Sequence, residues 1–126
     1  MSTKLKPGQR KERGRRSLHE VLAGVELIKA ERLRQISKEK WSAEHDDAHN
    51  GGQLAQAAAS YALHAAGIST SFPKGMLNGC CLWWPWARRW WKPKTPIKDL
   101  MRAGALIAAE IDRLERLKGK PANTKL

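Results

Sequence analysis

The chain has little of several residue types that usually identify a class of protein. Tyrosine and phenylalanine occur once each in 126 residues, and there are only two cysteines, Cys80 and Cys81. A disulfide between adjacent cysteines is strained, so an intrachain disulfide framework is excluded and reduced thiols are expected. No run of about 18 apolar residues is present to span a membrane, and no apolar segment follows the basic N-terminus as in a secretory signal.

A catalytic signature is also missing. No serine or cysteine has an evident neighbouring base that would make it a nucleophile. The sequence therefore predicts a non-enzymatic protein with no cofactor, and its length of 126 residues is that of one domain with a modest core.

Positive charge is abundant and unevenly distributed. The formal net charge is +12, and the excess of Lys and Arg lies mainly in 1–16 and in 67–94. A charge of this size favours anionic partners such as nucleic acid, nucleotides, acidic lipid or an acidic protein surface.

Tryptophan is the other abundant residue. Five of the six lie within nine positions, interleaved with Arg88, Arg89, Lys92 and Lys94. Each indole carries roughly 200 Å² of mostly apolar surface, so full burial of five would contribute on the order of 25 kcal/mol. Either these rings pack on helices of the chain or they face a ligand, a nucleic acid, a lipid surface or another protein. The five are Trp83, Trp84, Trp86, Trp90 and Trp91.

The remaining pattern predicts an all-α domain over 17–118, with three helices at about 17–40, 50–66 and 95–117. We expect 1–16 to be a disordered basic arm, 67–79 to begin a long irregular loop that continues into the tryptophans, and 119–126 to be a frayed tail. Ser17 and Glu20 form a capping box for the first helix, Gly67 ends the second, and Thr95 followed by Pro96 begins the third. Apolar residues recur at helical spacing in all three segments.

An acidic segment, 41–50, separates the first two predicted helices. His45 and His49 stand four residues apart, so on a helix both imidazoles would share a face where a metal ion binds, with Asp46 and Asp47 beside them. In the simpler interpretation, Asp46, Asp47 or Asn50 caps the next helix and the histidines are hydrogen-bonded nearby. We also expect Asp46 or Asp47 to pair with Arg88 or Arg89, which would hold the tryptophan loop against the acidic segment.

A set of short motifs is distributed over residues 31–116. They are Arg34-Gln35-Ile36, Trp41, Glu44-His45-Asp46-Asp47 with His49, Leu54-Ala55, Ala57-Ala58, Tyr61-Ala62, Trp84-Pro85-Trp86, Trp91-Lys92-Pro93, Asp99-Leu100, Ala103-Gly104-Ala105-Leu106-Ile107 and Ala109-Glu110-Ile111. In these motifs the chain resembles a family of small, mostly uncharacterised proteins encoded by tailed bacteriophages and prophages. The chain departs from that family at Lys40, where a glycine usually precedes the first tryptophan. The resemblance implies a phage origin and a host-cytoplasmic setting, and it does not imply a reaction.

A weaker similarity is to the ryanodine-receptor repeat, a small helical domain also found in prokaryotic conflict systems. The two share the order of an arginine, an isoleucine, a tryptophan, two aspartates, a histidine and a late apolar helix. The spacings around Trp41 and Asp46 differ between them.

These observations favour an accessory protein that binds an anionic host target, a nucleotide or a nucleic acid, a role that includes countering host defence. Stacking on indole rings and pairing of phosphates with guanidinium groups are the expected contacts. Two alternatives stay open: a protein-binding inhibitor of a host or defence complex, and a metal-dependent phosphohydrolase using His45, Asp46, Asp47 and His49. Membrane contact and purely structural packing of the tryptophans are further interpretations. The predicted ligand-binding residues are Trp86, Arg88, Arg89, Trp90 and Lys92.

Overall fold

The computed structural model describes residues 18–68 and 82–120, and these residues form an all-α domain without a strand. The basic arm at 1–16, the cap at Ser17, most of the loop before the tryptophans and the end of the C-terminal tail lie outside the described residues. The helices are α1 Leu18–Val21, α2 Ala23–Ser37, α3 Ala43–Asp47, α4 Gln53–Ala65 and α5 Pro96–Lys118, and a single 3₁₀ turn covers Arg88–Trp90.

The predicted all-α fold is confirmed, and the structure has a helix in each of the three predicted segments. Two of the predicted helix ends, at Thr95-Pro96 and at Gly67, are confirmed as well. Thr95 Oγ1 accepts a hydrogen bond from the backbone N–H of Lys98 at 3.2 Å, and Pro96 occupies the first helical position of α5. Gly67, at φ +75°, follows the last turn of α4, where the N–H of Ile68 bonds back to the carbonyl of Leu63. The left-handed conformation that this turn requires suits glycine.

The first predicted helix differs from expectation in its interior and at its C-terminal end. It is divided at Leu22 into α1 and α2, and it stops at Ser37 instead of Lys40. The acidic segment supplies no cap for α4, which begins after Gly52 at φ +86° without a side-chain cap. It forms its own short helix, α3, because Ser42 accepts a hydrogen bond from the N–H of His45 at 3.2 Å.

The core is built from small side chains where α4 packs on α5. Alanines on the facing surfaces let the two backbones approach closely, and the larger Leu54, Tyr61 and Leu106 fill the space between them. Trp41, Trp84, Trp86 and Trp91 pack against the edge of this core. The buried core residues are Leu54, Ala57, Ala58, Tyr61, Ala103, Leu106 and Ala109.

The apolar residues that recur at helical spacing in α1 and α2 do not form a buried face. Val21, Val25 and Ile36 are exposed, whereas the buried side chains of α2 are Glu31 and Gln35. The helix thus directs a polar face inwards, where Glu31 and Gln35 line a cavity.

Lys40 is the only described residue other than glycine with positive φ, at +62°. It follows α2 in a turn where the N–H of Trp41 reaches back to the carbonyl of Gln35 at 3.1 Å. This bond places Trp41 beside the end of α2. A side chain in left-handed conformation costs about 1 kcal/mol or more, a penalty that glycine avoids.

We therefore expect Lys40→Gly to raise the free energy of unfolding by about 0.5–1 kcal/mol, after allowance for the greater entropy of glycine in the unfolded chain. Lys38→Gly is the matched control. Lys38 has a right-handed backbone conformation, at φ −92° and ψ −45°, so its replacement by glycine should lower the free energy of unfolding by a similar amount. Urea denaturation measures both. Equal destabilisation by the two glycines would contradict the assigned strain.

Candidate functional site

The five clustered tryptophans divide into two groups. Trp84, Trp86 and Trp91 are half-buried against the core, whereas Trp83 and Trp90 are 55% and 57% exposed. The 3₁₀ turn at Arg88–Trp90 follows Ala87, whose carbonyl accepts a hydrogen bond from Trp84 Nε1 at 3.1 Å. Structural packing therefore accounts for three of the five rings, and two remain available to a partner.

A continuous series of aromatic contacts links the acidic segment to the tryptophans. The ring centroids of Trp41 and His45 lie 5.3 Å apart, those of His45 and His49 5.0 Å, and those of His49 and Trp86 5.1 Å. From Trp86 the series continues through Trp84 to Tyr61 and Trp91, at 5.0–5.4 Å per step. We call these rings the aromatic cluster: Trp41, His45, His49, Tyr61, Trp84, Trp86 and Trp91.

The acidic segment and the tryptophan loop do meet, but through rings and not through the predicted ion pairs. Asp46, fully buried, pairs with Arg32 of α2 at 3.0 Å, and Asp47 pairs with Arg116 of α5 at 2.7 Å. The Arg116 guanidinium holds the pKa of Asp47 below its usual value. Both carboxylates thus anchor α3 to the long helices, so the expected pairing with Arg88 or Arg89 is wrong.

The metal candidates do not assemble into a ligand set in the part of the chain that the structure describes. No group of three or more His, Cys, Asp or Glu side chains lies close enough there to hold an ion. His45 Nδ1 is 3.1 Å from Asp46 Oδ1, and His45 and His49 contact each other through ring faces and edges. Burial, with His45 nearby, lowers the pKa of His49, which favours the neutral imidazole suited to packing between aromatic rings.

Beside the aromatic cluster lies a cavity of about 560 Å³. This volume is within the range of roughly 300–1,000 Å³ typical of small-ligand sites. Its wall draws on α2, the turn after it, α3, α4, the tryptophan loop and α5. The lining residues are Glu31, Arg34, Gln35, Glu39, Trp41, His45, His49, Tyr61, Trp84, Trp86, Trp90, Lys92, Arg102 and Leu106.

The two carboxylates of the cavity both pair with one arginine. Arg34 Nε and Nη2 donate to both carboxylate oxygens of Glu31 at 2.8 and 2.9 Å, and Nη1 donates to Glu39 at 2.8 Å. These hydrogen bonds raise the pKa of Arg34 above its already high value. Gln35 donates Nε2 to Glu31 at 3.4 Å, and its buried Oε1 has no donor among the described residues.

Two further cations lie on the cavity wall without a paired carboxylate. Arg102 donates Nη1 to the Tyr61 hydroxyl at 3.3 Å and to the backbone carbonyl of Lys92, and its guanidinium lies 5.5 Å from the centre of the Tyr61 ring. Burial raises the pKa of Tyr61, so the phenol stays neutral. Within the described ranges, neither Lys92 nor Arg102 forms an ion pair.

The structure brings only part of the predicted binding set to this cavity. Trp86, Trp90 and Lys92 line it. Arg88 and Arg89 lie exposed on the adjoining 3₁₀ turn, where the Arg89 guanidinium sits 5.4 Å from the Trp90 ring centre. No carboxylate of residues 18–68 or 82–120 pairs with either arginine.

The helical part of the wall was not predicted. Glu31 and Gln35, four residues apart on α2, and Arg102 on α5 belong to polar positions of amphipathic helices, which usually face solvent. The sequence carried one signal for this wall: Glu31 and Gln35 stand four residues apart, so they share one face of α2. Trp41 and Tyr61 belong to the short motifs of 31–116, and the sequence assigned neither of them a role in binding.

None of the helices in the described part of the chain is long and apolar enough to cross a membrane. Comparison of the chain with protein-family models, curated proteins and solved structures finds no significant match. The chemistry of the site therefore rests on its own geometry: an aromatic cavity with paired carboxylates, two cations on its wall and two exposed arginines beside it.

Proposed function

We propose that the chain is a non-enzymatic accessory protein that binds a nucleotide, free or as a unit of a nucleic acid. The base enters the aromatic cavity, and the phosphates meet the basic residues at its edge. One observation carries the proposal: a cavity of nucleotide-compatible size is walled by aromatic rings and adjoins cations that form no ion pair with a carboxylate of the described residues.

Stacking supplies the contact to the base. A base stacked on an aromatic side chain contributes about 1–3 kcal/mol, whatever its identity, because every base has a π-face. Trp90 is the ring best placed for this contact, since it lines the cavity yet remains 57% exposed. Trp86 and Tyr61 provide the deeper walls.

Charge supports an anionic ligand. Arg34 pairs with both Glu31 and Glu39, which leaves these three groups with a net charge of −1. Lys92 and Arg102 bring the sum of the Lys, Arg and Glu side chains on the wall to +1. Arg88, Arg89 and Lys94 add exposed positive charge in the neighbouring segment. Guanidinium groups bind phosphate oxygens through paired hydrogen bonds.

The biological setting is proposed from the phage resemblance alone. A phage protein of this kind would act in the host cytoplasm, where a nucleotide or nucleic acid is the anionic target, and sequestering a nucleotide signal is one way to counter host defence. The runner-up, a protein-binding inhibitor, is favoured by one observation, the exposure of Trp83 together with Trp90, because exposed tryptophans are frequent anchors of protein interfaces.

Two tryptophans of nearly equal exposure provide the test. Trp90→Ala should weaken nucleotide binding by about 5- to 100-fold, the equivalent of losing one stacked base. Trp83→Ala, which removes a ring outside the cavity, should change it less than about 2-fold. The measurement is a fluorescence titration with adenosine, its mono- and triphosphates, and a single-stranded oligonucleotide.

Salt dependence identifies the ligand. Affinity for the oligonucleotide should fall steeply with salt if several phosphates are neutralised, and the triphosphate should bind more tightly than adenosine. If none of these probes binds, the nucleotide proposal fails. Capture of a protein that depends equally on Trp83 and Trp90, with little salt dependence, would establish the runner-up instead.

A further inference from the structure

The large side chains of an apolar stripe on α5 are left about half exposed by the described part of the chain. The series begins at Ile97 and advances by alternating steps of three and four residues, which is the spacing of a helix-packing seam. Its large side chains are 45–65% exposed even though α5 is packed on three other helices, α2, α3 and α4. The seam consists of Ile97, Leu100, Gly104, Ile107, Ile111 and Leu114.

A second exposed apolar stripe runs along α1 and α2 and adjoins the first. Its members are 44–63% exposed. The two stripes join where Ile28 packs on Gly104: a Cβ added to Gly104 would lie 2.6 Å from Ile28 Cδ1 and 2.7 Å from Cγ1. The second stripe comprises Val21, Leu22, Val25, Leu33 and Ile36.

Both stripes face away from the cavity. At 100° per residue, Leu100, Ile107 and Ile111 are turned by about 100° to 180° from Arg102 and Leu106, the residues of α5 that line the cavity. On α2, Val25 and Ile36 are likewise turned by about 80° to 140° from Glu31 and Gln35. The combined apolar face and the cavity therefore occupy different sides of the domain.

The area of this face matches that of a dimer interface. Full burial of a Val, Leu or Ile side chain removes roughly 60–120 Å² of apolar surface. Ten side chains, each about half exposed, then offer roughly 300–600 Å². Because interface cores are about 65% apolar, the corresponding interface is roughly 500–900 Å² per copy, compared with about 800 Å² in standard complexes.

We propose that this face binds the same face of a second copy of the chain. The three-four spacing is the pattern by which two helices pack side by side, and α5 of a second copy carries that pattern. Pairing of α2 and α5 with their counterparts would give a four-helix bundle at the interface. Each cavity would then open on the outside of the dimer.

Sedimentation equilibrium of the full chain tests the proposal. The wild-type protein should have twice the 14.2 kDa mass of one chain. Ile111→Glu should weaken dimerisation at least about 100-fold, because two carboxylates per dimer would lose their hydration. Leu27→Glu is the matched control: Leu27 is 44% exposed on α2 but off the stripe, and the variant should remain a dimer.

A wild-type monomer at all concentrations would overturn the proposal. So would a dimer that withstands Ile111→Glu, or one that Leu27→Glu disrupts equally. Circular dichroism checks that each variant is helical. Nucleotide titration of Ile111→Glu should give wild-type affinity, so failure of the dimer and failure of nucleotide binding are separate results.

Discussion

Replacing Asp99 with alanine is expected to lower the free energy of unfolding by about 3 kcal/mol. Asp99 is fully buried in the first turns of α5, where its two oxygens accept hydrogen bonds from the backbone N–H of Lys94 at 2.7 Å and from His64 Nδ1 at 2.8 Å. Charged hydrogen bonds contribute about 1.5–3 kcal/mol each, and a donor left unpaired adds to the loss. Since domains are stable by about 5–15 kcal/mol, this is a large effect.

The Asp99 contacts also connect α4, α5 and the tryptophan loop, so the loss should extend to the site. Asp112→Ala is the control on the same helix, because Asp112 is 57% exposed in its side chain, and it should change stability by less than about 0.5 kcal/mol. Asp99→Asn should be intermediate, since its amide oxygen can still accept from Lys94. Urea denaturation gives all three values. Equal effects of Asp99→Ala and Asp112→Ala would refute the anchoring role.

Trp84→Ala should destabilise the fold by about 2–4 kcal/mol, whereas Trp83→Ala, one residue away, should change it by less than about 0.5 kcal/mol. Trp84 is the centre of the aromatic cluster: its ring lies within 5.0–5.4 Å of the centres of Tyr61, Trp86 and Trp91. It also packs against the core and donates a hydrogen bond to Ala87. Trp83 is 55% exposed.

Thermal and urea unfolding of the two alanine variants measure this contrast. Trp84→Phe is a useful third variant, because it keeps the ring but removes the N–H donor, and it should recover more than half of the loss. Similar stabilities for Trp83→Ala and Trp84→Ala would mean that the cluster does not support the fold.

Much of the fold was predictable because it depends on local signals. Thr95-Pro96 and Gly67 act on the nearest helical turn, and each sets a helix end through hydrogen bonds within a few residues. Alanine is frequent in 52–66, a composition that favours close packing of helices, and α5 provides the matching alanines.

The site was less predictable because it depends on contacts between distant segments. The sequence identifies the aspartates of the acidic segment as charged, but their partners, Arg32 and Arg116, lie 14 and 69 residues away. Nor does local sequence distinguish Trp83 from Trp84. Which of the two rings is buried depends on where the edge of the core between α4 and α5 is open to receive a side chain.

The amphipathic pattern of α2 is oriented opposite to the usual one, in which the apolar residues are buried. In α2 the polar Glu31 and Gln35 are buried, while Val25 and Ile36 are exposed. Periodicity correctly indicates a helix, but it cannot show whether the apolar stripe faces its own core or another chain. In α2 the buried polar side chains line the aromatic cavity, and the exposed apolar side chains lie on the opposite side of the helix.

The close spacing of the indole rings has an optical consequence. The electronic transitions of Trp84 couple with those of Trp86 and Trp91, because the ring centres are 5.2 and 5.0 Å apart and the planes are inclined at 88° and 60°. Coupled transitions at such angles give paired circular dichroism bands of opposite sign, which overlap the helical signal in the far ultraviolet. The far-ultraviolet spectrum should therefore depart from that expected for the helix content alone, and the difference between wild type and Trp84→Phe should isolate a band that reports directly whether the tryptophan loop is in place.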